Sequence, residues 1–289
     1  MLVALLLSSR GALPADDTKG GFVGCKTSIA YFPEHKVALC TVPKGSSSSW
    51  REFARRVYAV DQGKPSPANW CGRNRPDFNG CLLDQPGAPP GVKSFDQLKN
   101  LVEKEHYMPA VFLRDPIERT LSAYTGTGHA HGPDPTKTTF AQFVDQLEQG
   151  VYNGNQHMAP QMKLCDYGRW RNESGIPWKF ASSTPRHHQN SEETTRRAQD
   201  FVSNIFGSEM MASIKKNWTQ CTGFTEDEFY SYTSQAKAEG DLVTPELRKR
   251  IEALYSEDVE AYAESERQYS SAETGRRLKA SSEPKALVP

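Results

Sequence analysis

Two groups of side chains in this 289-residue chain have the types and spacing of an anion cradle. In the first, Lys44 and Gly45 precede the hydroxyls of Ser46, Ser47, Ser48 and Ser49, and Trp50 follows. An ammonium, hydroxyls and the open N–H groups of a helix start can converge on one phosphate. In the second, Arg114 stands directly before Asp115 and Pro116, with Ser122 further along the same segment. A guanidinium grips phosphate oxygens through paired donors, so this group can hold a second phosphate. Both also have a local reading: Lys44 solvated beside a serine-capped helix, and Arg114 paired with Asp115 or Glu118. Arg119 reads equally as a structural cation or a ligand contact. The first group is not a Walker A loop, because its lysine precedes the glycine and serines, which disfavours an ordinary ATPase or GTPase.

The elements that must carry these groups follow from periodicity. Val37 to Val42 is a β-prone run stopped by Pro43. Trp50, Phe53, Ala54, Val57 and Tyr58 then recur with the helical period. Ala110 to Arg114 is a second short apolar strand, and the next helix opens with Asp115 as N-cap, Pro116 at its first position and Glu118 closing a capping box. Each group therefore sits where a strand turns into a helix. Strands alternating with helices predict an α/β three-layer sandwich with a central parallel sheet, whose ligands bind at the carboxyl ends of the strands. Further helices are expected over Ser94–Glu105, Phe140–Leu147, Asn190–Gly207 and Thr225–Glu239, with Gly/Pro-rich loops over Asp61–Gly91 and Thr125–Thr138. A closing helix runs from Thr244-Pro-Glu-Leu to Tyr262 on a stripe of Leu247, Ile251, Leu254, Tyr255, Val259 and Tyr262.

Together the two corners resemble the paired nucleotide-binding motifs of sulfotransferases that use 3′-phosphoadenosine 5′-phosphosulfate (PAPS), the first taking the 5′-phosphosulfate and the second the 3′-phosphate. Pro43-Lys44 with Ser48 and Trp50 is similar to the Pro-Lys-x-Gly-x-Thr-x-Trp form of the Golgi carbohydrate sulfotransferases of the chondroitin, dermatan and HNK-1 type (sulfotransferase family 2). Here Ser46 stands at the family's glycine position and Gly45 one place earlier. The stretch from Asn155 to Cys165 is similar to the family's His-Trp-x-Pro-Gln…Leu-Cys segment, with Met158 in place of the tryptophan. Thr244 to Tyr262 resembles the family's closing helix. The resemblance implies a P-loop-like sulfotransferase fold spanning residues 21–263. It also implies a PAPS site built from Lys44, Gly45, Ser46, Ser47, Ser48, Ser49, Trp50, Arg114 and Ser122. No metal is expected, since the chain has no ligand cluster with metal spacing.

The implied reaction moves a sulfuryl group to a hydroxyl of a glycan or glycoprotein acceptor, with Lys44 stabilising the charge that develops on the bridging oxygen. A base must take the hydroxyl proton. His157 is the first candidate, because it falls in the family-like segment; His129 and His131, in the loop after the second corner, come next. Glu52 or Asp77 could serve instead. His106 is discounted, since it precedes the second strand at the wrong end of the sheet. The alternatives kept open are a sulfotransferase for a small alcohol or tyrosine, and a non-catalytic nucleotide- or glycan-binding relative.

Charge separates the partner classes. Thirty-five basic residues balance thirty-five acidic ones, so no global field recruits nucleic acid. A polyanionic acceptor would need a local patch, to which Arg51, Arg55 and Arg56 could contribute, although the ordinary reading of such arginines is a solvated helix face. Two sequons, Asn172-Glu-Ser174 and Asn217-Trp-Thr219, and an even count of six cysteines indicate the secretory pathway, in agreement with a Golgi lumen location. Cys71–Cys81 is the preferred bridge, and Cys40 reads equally as a buried thiol or a bridge partner. Residues 1–20 read as a signal or membrane-anchor remnant, and 264–289 as a disordered tail.

Overall fold

Val37-Ala-Leu-Cys40 buries every side chain, which a strand does when both faces of its sheet are covered. The computed structural model describes residues 29–42, 47–63, 89–125, 134–183, 191–212 and 242–282. The elements used below are β1 (Ile29–Phe32), β2 (Val37–Cys40), α1 (Ser47–Asp61), α2 (Phe95–Glu103), β3 (Met108–Leu113), α3 (Pro116–Thr125), α4 (Phe140–Glu148), α5 (Gln161–Leu164), α6 (Tyr167–Glu173), β4 (Lys179–Ser182), α7 (Ser191–Phe206), α8 (Pro245–Leu254) and α9 (Ser256–Ser282). The four strands form one sheet in the order β1-β2-β3-β4.

The sheet is mixed, not wholly parallel. β2 pairs in parallel with β3, and β3 with β4, but β1 runs antiparallel to β2. The cause is the connection: residues 33–36 are too short for the crossover of a dozen or more residues that a parallel pair needs.

Side-chain alternation then builds the layers. Leu39, Ala110 and Phe112 point into a cluster with Trp50, Phe53 and Val57 of α1 and Phe201, Val202 and Ile205 of α7. Ala38, Cys40, Val111 and Leu113 point the other way, towards Phe95, Leu98 and Leu101 of α2 and towards Trp170 and Trp178. Helices thus cover both faces, as the α/β reading expects. A third cluster joins α3, α4 and α8 through Ile117, Leu121, Phe140, Phe143, Leu247 and Ile251.

Local signals hold where capping chemistry is explicit. The Asp115 carboxylate accepts from Glu118 N–H at 3.0 Å, Ser94 caps α2, and Thr139 with Gln142 forms a full capping box on α4. Thr244 caps α8, but the closing helix is two helices, because the chain leaves helical geometry at Tyr255 (φ −114°, ψ 38°). Arg55 and Arg56 are buried at 6% and 1% exposure, so they are not a solvated face.

The segment beyond Glu264 differs most from its sequence reading. α9 continues to Ser282 and lies along β4, the edge strand. It docks through polar groups: Tyr262 donates to Ser183 O (2.8 Å), Glu266 accepts from Ser182 Oγ (2.6 Å), and Gln268 Oε1 accepts from Phe180 N–H (3.1 Å). Arg197 of α7 pairs with Glu266 and stacks over Tyr269. These bonds cover an exposed edge that otherwise invites strand pairing. Past Tyr262, the last residue of the expected stripe, these contacts are made by polar side chains and leave no apolar period in the sequence. Among the described residues, no helix is long and apolar enough to cross a membrane.

Candidate functional site

Parallel pairing decides where the two corners lie. Cys40 of β2 pairs with Val111 of β3, and parallel neighbours run about 4.8 Å apart, so both chains leave the sheet side by side at one edge. Past β2, Thr41 and Val42 are buried, and α1 begins at Ser47. Lys44, Gly45 and Ser46 lie outside the described residues, and Ser47 to Ser49 form the first turn of α1. Trp50 is a core residue: its ring sits 4.8 Å from Phe112 and 5.6 Å from both Phe53 and Phe201. It anchors the start of α1 to the sheet instead of facing a ligand.

At the second corner, Arg114 is largely enclosed and its Nε lies 3.6 Å from Glu118 Oε2. The local partner foreseen for it is therefore present. A guanidinium carries five donors in a fork, so engagement of one edge by Glu118 also aims the rest. Ser122 is buried at 8% exposure in the second turn of α3.

The segment 155–165 meets both corners. Asn155 Oδ1 accepts from His157 N–H at 2.9 Å, shaping the turn that presents the half-buried His157. The Gln156 carbonyl, one residue earlier, accepts from Arg119 Nη2 at 3.3 Å, and the Met158 carbonyl accepts from Tyr255 OH at 2.7 Å. Cys165 is bonded to Cys40, which ties the end of α5 to the last residue of β2. Cys40 is thus a bridge partner, not a buried thiol; the Cys71–Cys81 pairing lies outside the described residues. His129, His131 and Asp77 also lie outside them. His106 precedes β3 at the far end of the sheet, in left-handed geometry (φ 61°).

A fully buried acid in this region was not legible as a site. The Asp258 carboxylate, at 0% exposure, accepts from the backbone N–H of Gln161 and of Met162, both at 2.8 Å. Burial pushes its pKa up, and the charge of Arg119 and these N–H bonds pull it back down. Burial lowers the Arg119 pKa, with Asp258 opposing. Arg119, buried at 2% exposure and donating to the Gln156 carbonyl, has an opposite charge in Asp258 of α9. Tyr255, pushed up to about 12 by burial, completes the group. In sequence Asp258 looks like an ordinary acid late in the closing helix; only the rule that a buried charge needs a partner marks it, and burial is a tertiary fact. Among the described residues, no cluster of His, Cys, Asp or Glu could hold a metal ion.

Two strand-to-helix corners open at one carboxyl edge of a parallel pair, with a cation at the second, and that edge is where open α/β sheets bind their ligands. The chain belongs to the sulfotransferase family, whose model matches residues 27–263. That family transfers sulfuryl groups, generally from PAPS. No curated protein and no solved structure matches the chain.

Proposed function

We propose that this protein transfers a sulfuryl group from PAPS to a hydroxyl of a carbohydrate acceptor in the lumen of the secretory pathway. The observation that carries this reading is the parallel register of β2 and β3, which makes neighbours of the two corners. The donor nucleotide supplies an activated sulfur and a stable leaving group. Lys44, with the hydroxyls of Ser46 and Ser48, holds the 5′ end and stabilises the charge that grows on the bridging oxygen. Arg114, aimed by Glu118, takes the 3′-phosphate, with Ser122 behind it in α3. The acceptor oxygen forms its bond to sulfur as the sulfur–oxygen bond to the phosphate breaks, and its proton passes to a base. His157 is the base proposed, on a segment bonded to α3 through Arg119.

A glycan acceptor is supported by the resemblance of the Trp50, His157 and Gln161 neighbourhoods to the carbohydrate branch. The compartment is supported by the Cys40–Cys165 bridge, since structural disulfides persist in oxidising lumens, and by the exposed Asn172 of the first sequon. The test incubates sulfur-labelled PAPS with mixed glycans, small alcohols and tyrosine peptides, using the wild type and Lys44→Ala. Label should enter the glycans alone, and Lys44→Ala should lower turnover on the order of a hundredfold to a thousandfold. Turnover indifferent to Lys44 refutes the mechanism, and label in alcohols or tyrosine reassigns the acceptor.

A further inference from the structure

Arg114 stands where the sheet has stopped supporting the chain. The ladder to β2 ends at Cys40↔Val111 and the ladder to β4 at Leu113↔Ser182, so the main chain of residue 114 lies past both. The side chain of Gln161 takes over. Its Oε1 accepts from Arg114 N–H at 3.1 Å and its Nε2 donates to Arg114 O at 2.9 Å. A carboxamide is planar, with one accepting and one donating end, so it pairs with a peptide as a neighbouring strand does. Fixing both the N–H and the C=O of residue 114 fixes its φ and ψ, and with them the direction in which its side chain leaves the backbone.

Gln161 is itself held from a distance. It is fully buried, and the Asp258 carboxylate fixes its N–H and that of Met162 from 97 and 96 residues away in sequence. Arg119, on the helix that Arg114 precedes, supplies the opposite charge inside the protein. Stability alone does not explain such a group, because a well-packed apolar set is often as stable as a buried ion pair. What polar contacts add here is a defined geometry at one peptide.

We propose that Gln161 is a positioning residue for the 3′-phosphate: it orients Arg114 through its main chain, and Asp258 holds Gln161 for that task. This rests on the reading of Arg114 as a phosphate ligand. The test separates the two claims by titrating the whole protein calorimetrically with adenosine 3′,5′-bisphosphate and with adenosine 5′-monophosphate, which lacks the 3′-phosphate. The wild type prefers the bisphosphate. Gln161→Leu loses about tenfold in affinity for the bisphosphate and keeps its affinity for the monophosphate. Gln161→Glu, which retains the acceptor and sets a carboxylate oxygen against the Arg114 carbonyl, shows the same selective loss and replaces the leucine variant should that one not fold. Asp258→Asn gives a smaller loss with the same selectivity. Equal weakening of both nucleotides, or no weakening of either, overturns the positioning role and leaves the nucleotide site standing. A wild type that binds both nucleotides equally removes the phosphate role of Arg114, and the inference falls with it.

Discussion

Replacing both bridge cysteines, Cys40→Ala with Cys165→Ala, tests whether the two halves of the site are one mechanical unit. The bridge closes a loop of 125 residues. Chain-entropy arithmetic on a loop that long gives a stabilisation of about 5 kcal/mol, and measured bridges commonly deliver about 2–4 kcal/mol. Both sulfurs are buried in the cluster that contains Trp170 and Trp178, so the alanine pair also loses some packing, and the expected loss stays near the upper part of that range. With a urea m-value of about 2–3 kcal/mol per molar, the unfolding midpoint should fall by about 1–2 M. The buried tryptophans Trp50, Trp170 and Trp178 report the transition by fluorescence. Non-reducing peptide mapping should recover Cys40 and Cys165 in one linked fragment. A midpoint shift of only a few tenths molar, or a map joining Cys165 to another cysteine, refutes the idea that the bridge clamps β2 to the segment carrying His157.

Three further outcomes follow from the polar contacts. Tyr255→Phe removes the hydroxyl that satisfies the buried Met158 carbonyl, and should cost about 1–3 kcal/mol in thermal or urea unfolding. The Tyr255 pKa is raised from 10.0 to about 12, so its contribution is present below pH 10 and is lost as pH rises towards 12; the phenylalanine variant should lack that component of alkaline unfolding. Asp134 is held down at about 2, first by the Thr136 hydroxyl and then by the Thr136 N–H and Lys137, so its stabilising effect is present above 3.8 and fades as pH falls towards 2. In Thr136→Ala its carboxyl carbon should titrate closer to 3.8 by NMR, and an unmoved midpoint would show that the hydroxyl is not the cause. Gln268→Leu should speed hydrogen exchange at the Phe180 amide by roughly tenfold, because it removes the acceptor that covers the edge of β4; unchanged exchange would mean that α9 does not seal that edge.

How far the sequence could be read depended on the range of the interaction. The stripe from Trp50 to Val57, the Asp115 cap, the helix from Phe140 and the Thr244 start act within one or two turns, and each lies where its residues indicated. The two corners were legible for the same reason: a short strand, a breaker and a cap are local signals, and the long connection between the strands permits the parallel pairing that the sheet shows. The first strand escaped notice because Ile29–Phe32 is only four residues long, and its antiparallel hairpin changed the sheet from parallel to mixed.

What tertiary structure alone decided is the set of contacts made across long stretches of chain. Asp258 reaching Gln161, Gln161 reaching Arg114, Cys40 meeting Cys165, and α9 sealing β4 with Glu266 and Gln268 have no periodicity to betray them. A polar residue is written the same way whether water or a buried peptide satisfies it. The amino-acid order specified which side chains could bind two phosphates; the burial of a few acids, amides and sulfurs at the sheet edge determines how the second corner is held in shape.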